Sequence, residues 1–153
     1  MQQLSIRRTK REDFDGVADL FALWVSEDIT HGEAIPAAVE FERWMSEICF
    51  VAEIKNQIIG VLVATETIHN TSLGVIPGNT RVIHLEELYV HPEYRNQQVG
   101  TKLLSRMFSE AKKRKVDHFL LYSATKDWRK IIKFYERQGF EFWNFQMFKR
   151  PEK

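Results

Sequence analysis

Leu85-Glu86-Glu87-Leu88-Tyr89-Val90-His91-Pro92-Glu93-Tyr94-Arg95-Asn96-Gln97-Gln98-Val99-Gly100-Thr101 is the stretch on which the fold turns. Its first half closes an apolar and β-branched run over 81–90 that reads as a strand, and His91-Pro92-Glu93 is a turn. Val99, Leu103, Leu104, Met107, Phe108 and Ala111 then recur at helical spacing. A strand therefore runs through a polar turn straight into a helix. The backbone N–H groups from Asn96 to Thr101 would point to one spot beside the positive end of the helix dipole, which is a place for phosphate. The basic run Lys112-Lys113-Arg114-Lys115 suits the last turn of the same helix, where cations complement the dipole.

Outward from this stretch the elements alternate. Leu4 and Ile6 mark a short first strand, and Thr9-x-x-Glu12 reads as a capping box opening a helix that carries Phe14, Val17, Ala18, Phe21, Trp24 and Val25. A polar break at His31 and Gly32 precedes a second helix, with Pro36 near its start and Val39, Trp44 and Met45 for its buried side. Residues 49–54 and 58–67 are strand-like, and Lys55-Asn56-Gln57 between them is short enough for a hairpin. The segment 68–80 is a loop rich in Gly, Pro and Asn. Downstream lie a strand over 117–122 and a helix capped by Asp127 and ended by Gly139, carrying Trp128, Ile131, Ile132 and Tyr135. Trp143, Phe145 and Met147 alternate with Asn144, Gln146 and Phe148, which predicts a final strand. The order β-α-α-β-β-β-α-β-α-β predicts an α/β (α+β) fold: a mixed, mostly antiparallel sheet with helices on both faces.

Bulk properties bound the function. With 153 residues and no repeat or linker-like tract, the chain reads as one domain over 1–153. A net charge of +1 gives no general electrostatic reason to bind nucleic acid. No apolar run approaches the roughly 20 residues a membrane span needs, and charged Arg7, Arg8 and Lys10 speak against a signal peptide, so a cytoplasmic protein is expected. The single cysteine, Cys49, can form no internal disulfide and reads as a small core residue. His31, His69, His91 and His118 show no metal-ligand spacing, and no metal is expected.

The segment 85–101 resembles the GNAT superfamily of N-acetyltransferases, whose pyrophosphate loop follows Arg/Gln-x-x-Gly-x-Gly/Ala. Arg95, Gly100 and the Leu-Tyr-Val strand end match, while Gln98 stands where the family usually has its first glycine. Phe134-Tyr135-Glu136-Arg137-Gln138-Gly139-Phe140 is similar to the family's Phe-Tyr-x-x-x-Gly-Phe. The Asn and Ala usual before that motif are replaced by Trp128 and Ile131.

The resemblance implies acetyl transfer from acetyl-CoA, a co-substrate, to an amine by direct attack in a ternary complex. It places acetyl-CoA on main-chain groups of Leu88, Tyr89 and Val90 and on Arg95, Asn96, Gln97, Gln98, Val99, Gly100 and Thr101. It assigns Tyr135 as the acid beside the leaving sulfur. An alkylamine with a pKa near 10.4 must lose a proton before attack, so a base is required. Strand parity without a bulge puts Val82, His84, Glu86, Leu88 and Val90 on one face, and the resemblance implies a base on this strand, so Glu86 is the first choice and His84 the second. A bulge would shift the parity and promote Glu87. The acidic residues Glu27, Asp28, Glu33, Glu40, Glu86 and Glu87 suit a cationic small-molecule acceptor. Other readings are an acyl-CoA-binding module without turnover and a protein or peptide N-acetyltransferase. Trp143, Phe145 and Phe148 could supply a homodimer surface.

Overall fold

The computed structural model describes residues 3–151. Five strands, β1 (Ser5–Arg8), β2 (Ile48–Ile54), β3 (Gln57–His69), β4 (Thr80–Val90) and β5 (His118–Leu121), lie in sequence order across one sheet. The first four are antiparallel, and β5 runs parallel to β4. Helices α1 (Phe14–Glu27) and α2 (Ala38–Ser46) cover one face. Helices α3 (Val99–Arg114) and α4 (Trp128–Glu136) cover the other. The expected mixed, mostly antiparallel sheet with helices on both faces is what forms.

Each face has its own core because the strand residues alternate. Leu62, Ala64, Ile83 and Leu85 meet Leu103, Leu104 and Met107 of α3. Val61, Val63 and Tyr89 meet Val17, Phe21 and Trp24 of α1 and Phe41 and Trp44 of α2. The β2–β3 hairpin closes on Lys55 and Asn56, both with positive φ, as a two-residue loop matching the strand twist requires.

Several local expectations give way to the tertiary structure. The carboxylate that reaches back at the start of α1 is Asp13, which accepts from the Lys10 N–H at 2.7 Å and from both Arg7 terminal nitrogens, so the capping box predicted at Thr9 and Glu12 sits one residue later. The Thr9 hydroxyl donates instead to Cys49 Sγ at 3.1 Å. Cys49 is buried, and desolvation pushes its thiol up to about 11. Val39 points out of α2, and Phe41 takes the buried place beside Trp44.

The final strand expected at 143–148 is not formed. Residues 140–151 have no regular structure, and Phe145, Met147 and Phe148 are largely exposed. Alternation makes a strand only where a neighbouring edge supplies hydrogen bonds. Among the described residues β5 pairs with β4 alone. No helix of the described residues is long and apolar enough to cross a membrane.

Candidate active site

The site is built where β4 and β5 part. Their pairing covers Val82–Leu85 against His118–Leu121 and stops there. From Glu86 onward β4 is bonded only to β3. The His91 N–H donates to the Ile59 carbonyl, and Val61 stands opposite Tyr89. By antiparallel alternation the N–H and C=O groups of Leu88 and Val90 therefore face the open side. The Val90 carbonyl accepts from Arg95 Nε at 2.9 Å, which leaves the Val90 N–H and both main-chain groups of Leu88 along the gap.

A β-bulge at Glu86 sets which side chains border this gap. Glu87 stands opposite Val63 and Leu85 opposite Ala64, so Glu86 is the extra residue. The unbroken parity expected from Val82 to Val90 is corrected. Ile83 and Leu85 pack toward α3, and beyond the bulge Leu88 and Val90 do so as well. His84, Glu86 and Glu87 consequently share the opposite face, which α2 only partly covers. Glu86 is exposed and accepts from Thr65 Oγ1 at 2.9 Å and from Arg43 at 3.3 Å. Glu87 is half-buried, and burial together with the nearby charges of Glu33, Glu86 and Glu40 pushes its carboxyl up to about 8, against a smaller opposing pull from Arg43.

His84 lies farther along the same face. Its Nε2 is 2.7 Å from Nε2 of His69, and burial and that second imidazole both lower its pKa. The two rings share a groove of about 520 Å³ with Thr65, Thr67, Glu86 and Tyr122.

Tyr135 approaches from the α4 side. It is half-buried, edge-on to Phe134 and Phe140, and near enough to Glu87 for that carboxylate to help raise its pKa after desolvation. The phenol is a proton donor, not an acceptor, at neutral pH. Glu87 and Tyr135 border the open edge of Leu88 from the two faces of the sheet.

The turn from β4 to α3 holds its shape by two left-handed residues, Asn96 at φ 60° and Gln98 at φ 64°. Gln98 thus adopts the backbone that a glycine would adopt there without strain. The first N–H groups of α3 have no acceptor within the helix and are exposed to an anion. Gly100 lies under the ring of Phe134, where an added Cβ would sit 3.4 Å from Cζ, and Gln138 reaches Thr101 at 3.5 Å. The two sequence motifs therefore meet in space.

Arg95 does not reach into that site. Its terminal nitrogens donate to both oxygens of Glu27 at 2.9 and 2.5 Å, and its guanidinium lies 5.2 Å from the centroid of the Tyr89 ring. The Tyr89 hydroxyl donates to the same carboxylate, and its ring stacks on Trp24. This Glu27–Tyr89–Arg95 cluster was not legible in the sequence, because its members lie 62 and 68 residues from Glu27 with no spacing signal. Of the acidic residues expected around an acceptor, Asp28 is likewise paired, with Lys126 at 2.6 Å. Glu33, Glu40, Glu86 and Glu87 are the ones that converge, opposed by Arg43. No group of three or more metal-ligating side chains with a site for an ion occurs among the described residues.

An open strand edge thus runs on to a helix N-terminus, an arrangement that can receive an extended, anion-bearing ligand. Residues 45–142 match the family model described as acetyltransferase (GNAT) domain, and the chain belongs to that family of N-acetyltransferases. No curated protein sequence matches it. Among solved structures, the aminoglycoside N-acetyltransferase AAC(6')-Iy in complex with CoA superposes with a TM-score of 0.76 at 17% identity, covering 100% of this chain and 97% of that one. A predicted acetyltransferase with acetyl-CoA from Clostridium acetobutylicum gives 0.73 at 20% identity over 97% and 96%. The aminoglycoside acetyltransferase meta-AAC0020 from an uncultured soil metagenomic sample, in complex with trehalose, gives 0.72 at 16% over 97% of each chain.

Proposed function

We propose that the protein transfers an acetyl group from acetyl-CoA to a primary amine of a cationic small molecule in a ternary complex. The observation that carries this reading is the unpaired β4 edge at Leu88, bordered by Glu87 and Tyr135 and continuous with the N-terminus of α3. The residues present fit the donor. The free N–H groups of α3 suit its pyrophosphate, and the Leu88 and Val90 main chain suits an extended amide-bearing arm. Acetyl-CoA supplies an activated thioester, and the protein supplies orientation and proton transfer.

Glu87 is the base in this mechanism. Its carboxyl is partly ionised near neutrality, which suits a group that must take a proton from an ammonium and release it again. Glu86, held by Arg43 and Thr65, contributes charge that favours a cationic acceptor and keeps Glu87 poised. His84, paired with His69, stands away from the open edge and lines the acceptor groove. Tyr135 hands a proton to the leaving sulfur, a role its raised pKa permits. The convergence of Glu33, Glu40, Glu86 and Glu87 against one Arg43 favours an acceptor with more than one positive charge. The aminoglycoside acetyltransferases among the structural relatives are consistent with that class. We place the reaction in the cytoplasm, a reducing compartment that suits a chain with one unpaired cysteine.

Calorimetric titration of acetyl-CoA into the protein, followed by a thiol-release assay over polyamines, aminoglycosides, amino acids and peptides, tests the proposal. Binding with release that depends on a polycationic amine is expected. Folded protein that fails to bind the donor would overturn the reading, and binding without turnover on any amine would assign a binding module instead.

A further inference from the structure

Arg95 occupies the position at which the donor turn meets its strand, yet its guanidinium is spent on the protein. Nε holds the Val90 carbonyl, and the two terminal nitrogens hold both oxygens of Glu27. Glu27 is the last residue of α1, and its carboxylate, only 20% exposed, also receives the Tyr89 hydroxyl. A doubly bonded, triply satisfied carboxylate of this kind fixes a chain end more firmly than a surface ion pair does.

The segment immediately after Glu27, residues 28–36, is the acceptor wall of the proposed reading, because it carries Glu33 toward Glu87. Asp28 takes a left-handed φ of 51° and pairs with Lys126. The Ile29 carbonyl accepts from the Lys126 N–H at 2.8 Å, the His31 N–H donates to the Ala124 carbonyl at 2.9 Å, and Thr30 pairs with Thr125. Trp24 Nε1 donates to Thr30 Oγ1 at 2.9 Å. Glu33, on the same segment, is one of the charges acting on Glu87. Residues 124–126 lead into Asp127, which caps α4 and hence the helix bearing Tyr135. One continuous set of bonds thus links the donor turn, the acceptor wall and the acid.

We propose that Glu27 is a positioning residue that couples donor binding to the acceptor wall: through Arg95 it braces the turn that receives the donor phosphates, and through the end of α1 it sets residues 28–36. The inference rests on acetyl-CoA being the donor. Arg95 and Glu27 join the turn to the end of α1, so a ligand that steadies the turn also steadies residues 28–36. The coupling is a property of the pair, so neutralising either partner removes it.

Hydrogen exchange of the wild-type protein with and without CoA, read by peptide mass spectrometry, tests this without any acceptor. CoA is expected to slow exchange over 96–102 and also over 28–36, the latter by on the order of tenfold, within the usual range of coupling between sites. In Glu27→Gln and in Arg95→Gln the protection of 28–36 should vanish while some protection of 96–102 remains. The double variant should behave as either single one does, and Glu27→Asp, which keeps the carboxylate, should restore part of the effect. Protection of 28–36 that survives in Glu27→Gln, or that is absent from the wild type while 96–102 is protected, overturns the coupling. Absence of protection at 96–102 in the wild type overturns the donor assignment instead.

Discussion

The two halves of β4 differ in a way that separates scaffold from site. From Val82 to Leu85 the strand is bonded on both edges, and Val82, Ile83 and Leu85 are buried among apolar neighbours. From Glu86 to Val90 it has one bonded edge, a bulge, and two adjacent carboxylates on one face. The same strand thus anchors the sheet with one half and offers unpaired backbone with the other. An open edge inside a sheet is a liability unless something pairs with it, which is why its presence beside a helix N-terminus points to a ligand.

That contrast breaks or sharpens under substitution. Glu87→Gln should have the largest effect, lowering kcat/KM by about 10²–10⁴-fold with donor affinity little changed, since a general base is lost and no donor contact is. Glu86→Gln, one residue away, should cost less than about tenfold, mainly in acceptor KM, because it removes a partly exposed ion pair with Arg43. Steady-state kinetics on the two variants checks both. Equal losses would erase the distinction the bulge creates. Tyr135→Phe should lower kcat by roughly 10- to 100-fold, less than loss of the base because a thiolate already leaves readily. Replacing the acetyl donor by one with a more acidic thiol should narrow that gap.

The pH dependence arises from the same carboxyl. With Glu87 ionising at about 8, kcat/KM should rise with pH and level off above that value, and the limb should disappear in Glu87→Gln. Stability moves the opposite way. The folded chain holds a proton on Glu87 that the unfolded chain, with an ordinary carboxyl near 4.5, has released. The contribution is therefore fully present below about 4.5 and is lost as pH rises through about 8. Glu87→Gln should accordingly gain stability over the wild type between those values, by about 1–2 kcal/mol at the alkaline end, since the carboxyl is only half-buried. Thermal melts at pH 5 and 9 measure it.

The smallest effect concerns the turn. Gln98 sits at φ 64°, where an L side chain costs roughly 1 kcal/mol, so Gln98→Gly should raise Tm by about 2–4 °C and leave donor binding equal or tighter. A weaker donor would mean that the glutamine side chain itself makes a contact.

The turn and the acceptor side also differ in how far the residues alone revealed them. Helices α3 and α4 were legible because their apolar spacing and end signals are local, and the Phe134–Phe140 segment because it resembles a family motif. The contact of Phe134 with Gly100 brings the two patterns together. The terminal alternation at 143–148 was equally local and misled, since a strand exists only with a partner edge.

What local pattern determined here was the order of elements from β1 to α4 and the two-faced sheet. Whether Glu86 or Glu87 borders the open edge depended on a one-residue bulge, whose position is set by how β3 and β4 pair over ten register positions. The commitment of Arg95 to Glu27 depended on α1 ending against the turn, 68 residues away. Periodicity reports the face a residue takes within its own element. Only packing between elements decides which charges meet, because a bulge or an ion pair is settled by the long-range contacts that the folded chain can satisfy together.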